Sequence, residues 1–383
     1  MYDLLISMTS IAVIFFVGIL CIWLAQKSGI SEKLLFIIAG ILLGTVHIGR
    51  HTLISLSLPL LSSLTLLALS ILAFDSTAHL RLFDLDTFTT RTLRNASIVL
   101  LCTLLVTALV ARALNAIPLL FALILASTLA STKLATPSKN RTGAYLYHEH
   151  HISCALALLL TALFVLLTNV RNTLIIDILP QLAPPLFSIT IGVGTGVFLG
   201  IILFKLIQHA NETPFAPLAI TTSALLAYVL SENLGGSGIF AAATLGFFLA
   251  NAPSRTQPLI TSFENSAAKP LSIFLYVTCG IISTLLPLTP SFITRTLLLF
   301  VSMLATRLIF LALTEKRSVH ELITTTLYAP IGPTTLVLTL ALMSFPGMIY
   351  GIPHAPLIVQ TALAFIVLST TLQTLKPHEN RTH

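Results

Sequence analysis

Two stretches of small and hydroxyl-bearing residues interrupt the apolar sequence: Ala126-Ser127-Thr128-Leu129-Ala130-Ser131-Thr132-Lys133 and Ala329-Pro330-Ile331-Gly332-Pro333-Thr334-Thr335. A helix inside a membrane satisfies its own backbone, so such residues at membrane depth mark places where a helix can break and line a cavity. The alternative is a continuous helix whose hydroxyls bond back to carbonyls and whose small residues ease packing. Their occurrence as a matched pair favours two interrupted helices.

Composition places both stretches in a membrane protein. Of 383 residues, 56% are hydrophobic and only 9% are charged, against about 25% charged in a soluble domain. Such a chain lacks the polar surface of a soluble enzyme, a disordered chain or a nucleic-acid-binding domain. The four cysteines lie singly in apolar runs, which argues against a disulfide framework and a zinc knuckle. We therefore expect a polytopic membrane protein without a cofactor.

Cutting the chain at charged and Pro/Gly/Asn clusters predicts about thirteen transmembrane helices, since roughly 20 apolar residues cross the hydrocarbon core and fewer suffice where a helix is broken. The predicted spans are 4–25, 34–46, 54–76, 96–115, 117–136, 144–169, 185–207, 214–231, 236–251, 269–288, 292–313, 321–344 and 355–374. The interrupted stretches fall in the fifth and twelfth spans, which run in opposite directions, as an inverted repeat requires. The expected fold is an all-α polytopic membrane protein, with residues 1–383 in a single domain.

The cationic residues give the chain an orientation. Most of the 20 Lys and Arg residues fall in loops after odd-numbered spans, and such residues accumulate on the cytoplasmic side. This pattern predicts an outer N-terminus and a cytoplasmic C-terminus in a multi-pass protein of the cell (inner) membrane. Because the positive charge is spread over many inner segments, it does not form a nucleic-acid-binding patch.

Ionisable residues within spans are costly, at about 2.5 to 3.5 kcal/mol each on insertion scales, so each needs a partner or a function. Arg307 lies well inside the eleventh span, too deep for snorkelling to rescue fully. Asp75 lies at the inner end of the third span, and we interpret it as part of a solvated cytoplasmic loop. The first residue is thus a candidate for an ion pair, and the second is not a site candidate.

The sixth span opens with Tyr147-His148-Glu149-His150-His151-Ile152-Ser153-Cys154. Helical spacing places His150 one turn from Cys154. Imidazole, thiol and carboxylate groups could relay a proton or bind a soft metal ion. No second ligand pair with zinc-site spacing accompanies them, so the sequence predicts no metal centre. The simpler interpretation is a polar helix start near the inner surface.

Four stretches together resemble the monovalent cation:proton antiporter superfamily, which includes sodium/proton exchangers and potassium-efflux antiporters. They are residues 32–44 with the ending IAGILLG, 238–251 with the ending FFLAN, 274–280 and 329–342. The resemblance implies a dimeric exchanger that moves a core of residues 96–169 and 292–374 against a scaffold of residues 1–76 and 185–288. It also implies that the fifth and twelfth helices are broken and cross near the membrane centre.

One departure from the superfamily affects the ion site. The family carries its ion- and proton-binding carboxylate in an acid-containing pair on the sixth helix, and this pair aligns with Ser153-Cys154 here. The fifth helix can be aligned with the superfamily in two registers, which match Lys133 to different family positions. In neither register does the fifth helix of this chain carry an acid. Glu149 and Arg307 do match, and the resemblance implies that they form an ion pair, closer than about 4 Å, that stabilises the core without carrying substrate.

The expected function is exchange of a monovalent cation for protons by alternating access, with an altered ion site. The ion and proton site candidates are Ser127, Thr128, His150, Ser153, Cys154, Thr334 and Thr335. Hydroxyl and carbonyl oxygens can coordinate an alkali ion without an acid. The alternatives are a transport-inactive sensor or scaffold, and a carrier of anions held at half-helix N-termini. An intramembrane enzyme is not expected, because no nucleophile–base pair or metalloprotease motif is present.

Overall fold

Helices make up almost all of the computed structural model, which describes residues 2–28, 30–48, 51–52, 57–81, 87–132, 141–168, 178–209, 216–252, 257–284, 286, 289–314, 318–328, 331–344 and 354–374. Within these ranges there are fourteen helices. They are α1 (Tyr2–Ser28), α2 (Glu32–Thr45), α3 (Leu58–Ala78), α4 (Thr87–Asn115), α5 (Leu119–Leu129), α6 (Arg141–Leu167), α7 (Ile178–His209), α8 (Ala216–Asn233), α9 (Gly238–Ala250), α10 (Gln257–Ser283), α11 (Pro290–Thr314), α12 (Val319–Tyr328), α13 (Pro333–Ser344) and α14 (Ala355–Thr374). Seven of them are long and apolar enough to cross a membrane.

Each predicted span contains one helix, except the twelfth, which contains α12 and α13 on either side of its break. The fold class is therefore confirmed. The sequence placed three helix starts several residues too late: α4 begins at Thr87, α7 at Ile178 and α10 at Gln257. Helices α4 and α10 continue through polar residues that precede their apolar runs, and α7 continues through Pro184 and Pro185. A small antiparallel hairpin of His47–Ile48 (β1) and His51–Thr52 (β2) is also present between α2 and α3.

Small residues bring several helices into backbone contact. At the crossing of α2 and α10, a Cβ added to Gly40 would lie 2.2 Å from the Val277 carbonyl oxygen, and one added to Gly280 would lie 2.3 Å from that of Ile37. Gly246 on α9 meets the Phe74 carbonyl of α3 in the same way. Close approach of this kind is typical of helix packing in membranes, where small residues increase the contact area.

The two interrupted regions meet in the protein interior. Helix α4 packs against α11, α5 packs against α4 and α6, and α13 lies between α14 and α3. Past the end of α5, Thr132 pairs with Ile331 in an antiparallel β-bridge just before α13 begins. The antiparallel sense confirms that the fifth and twelfth spans run in opposite directions at their breaks.

Candidate functional site

The crossing of the two interrupted helices is held by direct backbone contact. Gly332 N–H donates to the Ser131 carbonyl at 3.1 Å. A Cβ added to Gly332 would lie 2.1 Å from the Thr132 carbonyl oxygen, so only glycine allows the chains to approach this closely. Ala329, Pro330 and Lys133, which the sequence analysis singled out, lie outside the described residues.

Hydroxyl groups satisfy the backbone donors released at the breaks. Thr335 N–H donates to Ser131 Oγ at 3.1 Å, and the two hydroxyl oxygens are 2.7 Å apart. Thr335 Oγ1 donates its single proton to the Thr128 carbonyl at 2.8 Å, so the Ser131 hydroxyl is the donor between the two hydroxyls. Ile331 N–H donates to Ser369 Oγ of α14 at 3.1 Å. All these hydroxyl residues are buried.

Helix α6 contacts the same crossing through Ser153 and His150. Thr132 N–H donates to Ser153 Oγ at 3.1 Å, and Thr132 Oγ1 lies 2.7 Å from that oxygen. Since Ser153 Oγ donates to the His150 carbonyl, the Thr132 hydroxyl is the donor to Ser153. His150 Nδ1 lies 2.8 Å from the Thr132 carbonyl. A carbonyl only accepts, so this nitrogen carries a proton.

The thiol at the position aligned with the family's acid is buried beside this histidine. Cys154 Sγ lies 3.4 Å from His150 Nδ1 and 3.7 Å from the Thr132 carbonyl oxygen. Thr334 of α13 approaches the same thiol. The structure therefore gathers five of the sequence candidates, His150, Ser153, Cys154, Thr334 and Thr335, around the Thr132 carbonyl and the adjacent break.

The hydroxyls of the remaining two candidates, Ser127 and Thr128, donate their hydrogen bonds within α5. Ser127 Oγ and Thr128 Oγ1 both donate to the Ile124 carbonyl, at 3.0 and 2.7 Å. This is the back-bonding that the alternative interpretation of the stretch described. Ser127 also accepts a hydrogen bond from Thr161 of α6 at 2.9 Å, and Thr128 contributes its carbonyl to the crossing. The hydroxyls missed by the sequence analysis are those of Ser131 and Thr132, although both stood in the quoted stretch.

Glu149 and Arg307 form a buried ion pair. Arg307 Nη2 lies 2.7 and 2.8 Å from the two carboxylate oxygens of Glu149, within the distance expected from the sequence. Glu149 is 3% exposed and Arg307 is 9% exposed. The pair links α6 to α11, and each charge offsets part of the cost of burying the other.

Asp75 lies within the third span, as predicted, but it is not solvated. It is inside α3, which continues to Ala78, and its side chain is only 18% exposed. Asp75 Oδ1 lies 3.5 Å from His79 Nε2. The carboxylate is also close enough to His150 and Cys154 to act on both electrostatically. The interpretation as a solvated loop residue was wrong; a histidine one helical turn after the aspartate was the available signal.

A cavity of about 780 Å³ runs along α6. On one side it is lined by Tyr147, His148 and His151 of α6, and on the other by residues at the end of α3 that include His79. The rings of His79 and His151 are 4.3 Å apart. The cavity therefore lies beside α6, the helix that also carries His150 and Ser153 of the crossing.

A multi-pass helical bundle whose interrupted helices meet in opposite directions around buried oxygens has the architecture of a secondary transporter. Residues 11–377 match the sequence model of the family described as sodium/hydrogen exchanger, transmembrane. The chain belongs to this family, so it is a membrane transporter by descent and not an enzyme.

A solved structure and two relatives extend this comparison. The sodium proton antiporter MjNhaP1 of Methanocaldococcus jannaschii superposes with a TM-score of 0.75 at 18% identity, covering 97% of this chain and 99% of that one, which shows the fold. The low-affinity Na⁺/H⁺ antiporter NhaS1 of Synechocystis is 41% identical over 80 residues, 21% of this chain and 15% of the relative. The K⁺/H⁺ antiporter NhaP2 of Shewanella is 28% identical over 150 residues, 38% of this chain and 25% of the relative. The matched segments thus span a quarter or less of either relative.

The buried ion pair predicts a strong energetic coupling. Arg307→Met leaves the Glu149 carboxylate buried without its partner, so we expect a loss of about 3–5 kcal/mol in stability, seen as a clearly lower melting temperature of the purified protein. The double variant Glu149→Leu/Arg307→Met should lose less than the two single variants added together. Arg112→Met, which removes an exposed arginine of α4, is the control. Equal melting of Arg307→Met and Arg112→Met would show that the pair has no structural role.

Proposed function

We propose that this protein exchanges a monovalent cation for protons, with a cation site built from hydroxyl and carbonyl oxygens at the crossing. The observation that carries the proposal is the convergence of Thr132, Ser153, His150 and Thr335 on one buried break of two opposed helices. Alkali ions bind to oxygen ligands, and irregular backbone at membrane depth is where transporters place them.

The Thr132 carbonyl oxygen couples the two substrates in this scheme. It accepts the Nδ1 proton of His150 in the observed state. A cation bound to the same oxygen would compete with that hydrogen bond, and a protonated imidazole would repel the cation at close range. Proton and cation therefore occupy the site in turn, which is the requirement for exchange.

Asp75 supplies the negative charge that is missing at Ser153 and Cys154 of α6. Its carboxylate acts on His150 and Cys154 and pairs with His79. A single carboxylate can compensate either a bound cation or a proton on a neighbouring imidazole. Ser153 and Cys154 then serve as an oxygen ligand and a neutral neighbour. The ordinary pKa of a thiol and its poor affinity for alkali ions disqualify it as a replacement for the acid.

We further infer that helices α4–α6 and α11–α14 form the moving core, and that α1–α3 and α7–α10 form the scaffold. The backbone contacts of α2 with α10 and of α3 with α9 support a rigid scaffold. The Glu149–Arg307 pair and the crossing itself tie the core helices together. In this arrangement Glu149 and Arg307 stabilise the core, and alternating access moves the crossing past α3.

A homodimer in the cell (inner) membrane fits the exposed surface. Large apolar side chains cover the outer faces of α1 and α7, among them Phe16 at 64%, Trp23 at 60% and Phe187 at 66% exposure. Such faces suit lipid or a second copy of the chain. The distribution of Lys and Arg supports an outer N-terminus and a cytoplasmic C-terminus.

Proteoliposomes test the proposed exchange. Outward gradients of Na⁺ or K⁺ imposed on vesicles with a trapped pH dye should drive proton uptake by the wild-type protein. Asp75→Asn removes the compensating charge, so we expect exchange to fall at least tenfold. Glu321→Gln, which neutralises an exposed carboxylate of α12, is the matched control and should exchange normally. Cys154→Asp should increase Na⁺-coupled flux, because it adds a carboxylate next to the Thr132 carbonyl.

Two results would contradict this proposal. Absence of ion-coupled flux with either cation, in protein that melts cooperatively, would mean a transport-inactive member of the family. Full activity in Asp75→Asn would mean that the charge is compensated elsewhere.

Reporter fusions test the proposed orientation. A fluorescent protein that matures only in the cytoplasm should fluoresce when fused after residue 383, whereas alkaline phosphatase at the same position should be inactive because it folds only outside. The opposite pattern would reverse the orientation. Cross-linking of the purified protein in lipid nanodiscs tests the dimer, and a single-chain band under all conditions would exclude it.

A further inference from the structure

The cavity beside α6 has a basic end and an apolar end. At one end it is lined by His79 and Arg81, which follow the end of α3, and by His148 and His151 of α6. Its other walls are apolar and come from α4, α6, α7 and α9, with Leu93, Leu156, Leu159, Val193, Phe240 and Phe247. Among the described residues that line the cavity, no carboxylate is present. Asp75 is not part of the lining, although its Oδ1 lies 3.5 Å from Nε2 of His79. A lining with an arginine, several imidazoles and long apolar walls suits an elongated anion with an apolar tail.

His151 indicates that the basic end is built for a ligand. The residue is 3% exposed, and neither ring nitrogen has a hydrogen-bond partner among the described residues. Its ring packs against those of His79, at 4.3 Å, Tyr147, at 4.7 Å, and the adjacent His150, at 5.1 Å between centroids. Leaving a buried polar group unpaired is unfavourable, because the group has lost its hydrogen bonds to water and gained none in the protein. A ligand oxygen at this position would remove that cost.

The dimensions of the cavity select one acyl chain. Its lining on α6 extends from Tyr147 to Leu159, which is about 18 Å along a helix axis. The volume of about 780 Å³ lies within the range of single small-molecule sites. A narrow space of this length accommodates one long chain with a compact headgroup, whereas a two-chain phospholipid would fill it with one chain and leave the other outside.

We propose that this cavity binds a single-chain anionic lipid of the fatty-acid class. The carboxylate lies between Arg81 and the imidazoles, and the chain runs along Leu156 and Leu159 towards Phe240. Arg81 pairs with the charge, and His151 donates the hydrogen bond that it otherwise lacks. The headgroup enters from the side of the membrane at which α3 ends and α6 begins.

Binding at this place has a consequence for transport, which rests on the exchange function and the core–scaffold division proposed above. The lipid would occupy the gap between α6 of the core and α3, α7 and α9 of the scaffold. Because close-packed helices cannot slide past each other while a ligand fills the gap between them, the occupied cavity would hold the transporter in one conformation. The fatty acid is thus an inhibitor and not a substrate.

Direct binding is the appropriate test, because fatty acids carry protons across bilayers unaided and would confuse a flux assay. The full chain in nanodiscs of zwitterionic lipid is titrated with the fluorescent fatty acid cis-parinaric acid, with empty nanodiscs subtracted. We expect saturable binding that oleate displaces, and displacement by uncharged oleyl alcohol at least about tenfold weaker. Arg81→Ala should weaken binding about tenfold, whereas Arg91→Ala, at an exposed arginine of α4, should leave it unchanged.

A second variant separates the site from general destabilisation. Leu156→Trp fills the apolar end without touching the basic residues, and it too should weaken binding while the melting temperature stays near that of the wild type. Binding that does not saturate, that oleyl alcohol displaces as well as oleate, or that both variants retain in full would overturn the proposal. Saturable oleate binding by a protein that shows no cation exchange would leave this site standing and remove only the proposed function.

Discussion

The structure depends on one constraint: two segments leave the helical conformation inside an apolar interior, and the backbone groups that they release must find partners. Gly332 and Thr335 donate to the carbonyl and the hydroxyl of Ser131. Thr132 donates to Ser153 of α6, and Ile331 donates to Ser369 of α14. The hydroxyl residues are therefore required by the breaks, and the same oxygens form the candidate ion site.

The hydrogen bonds at the crossing of the two interrupted helices do not include a carboxylate, an ammonium or a guanidinium group of the described residues. Among the described residues, the groups bonded to one another at the crossing are hydroxyls, backbone amides and carbonyls, and one imidazole. The buried carboxylate of Glu149 is neutralised by Arg307, and Asp75 acts from α3 next to His79. In families with an acid on the sixth helix, one residue both binds the cation and holds the proton. In the site proposed here, the oxygen ligands and the negative charge lie on different helices, so coupling would depend on how α3 and α6 move relative to each other.

Much of this could be predicted from the sequence, because hydrophobic length and clusters of small hydroxyl residues are local signals. They located every helix and both breaks, and the family resemblance brought Glu149 and Arg307 together. Other features depend on packing between distant helices. Asp75 resembled a solvated residue because it stands at the end of an apolar run, and nothing in its own segment reveals that most of its side chain is buried in the folded protein. The bonds of Ser131 arise only when the end of α5 meets the start of α13. The ring of His151, which has no hydrogen-bond partner among the described residues, and the cavity beside it arise only when α3, α6 and α9 are assembled.

Disulfide cross-linking tests whether the two breaks lie next to each other. In a background without the four native cysteines, Thr132→Cys and Ile331→Cys place thiols on paired residues of an antiparallel bridge, where Cα atoms are about 4.5–5.5 Å apart and a disulfide can form. We expect mild oxidant in membranes to protect both thiols from a maleimide that shifts their mobility on gels, while Thr132→Cys with Leu336→Cys stays reactive. Two fully reactive thiols in the bridge pair would show that the interrupted helices do not meet, and the account would fail.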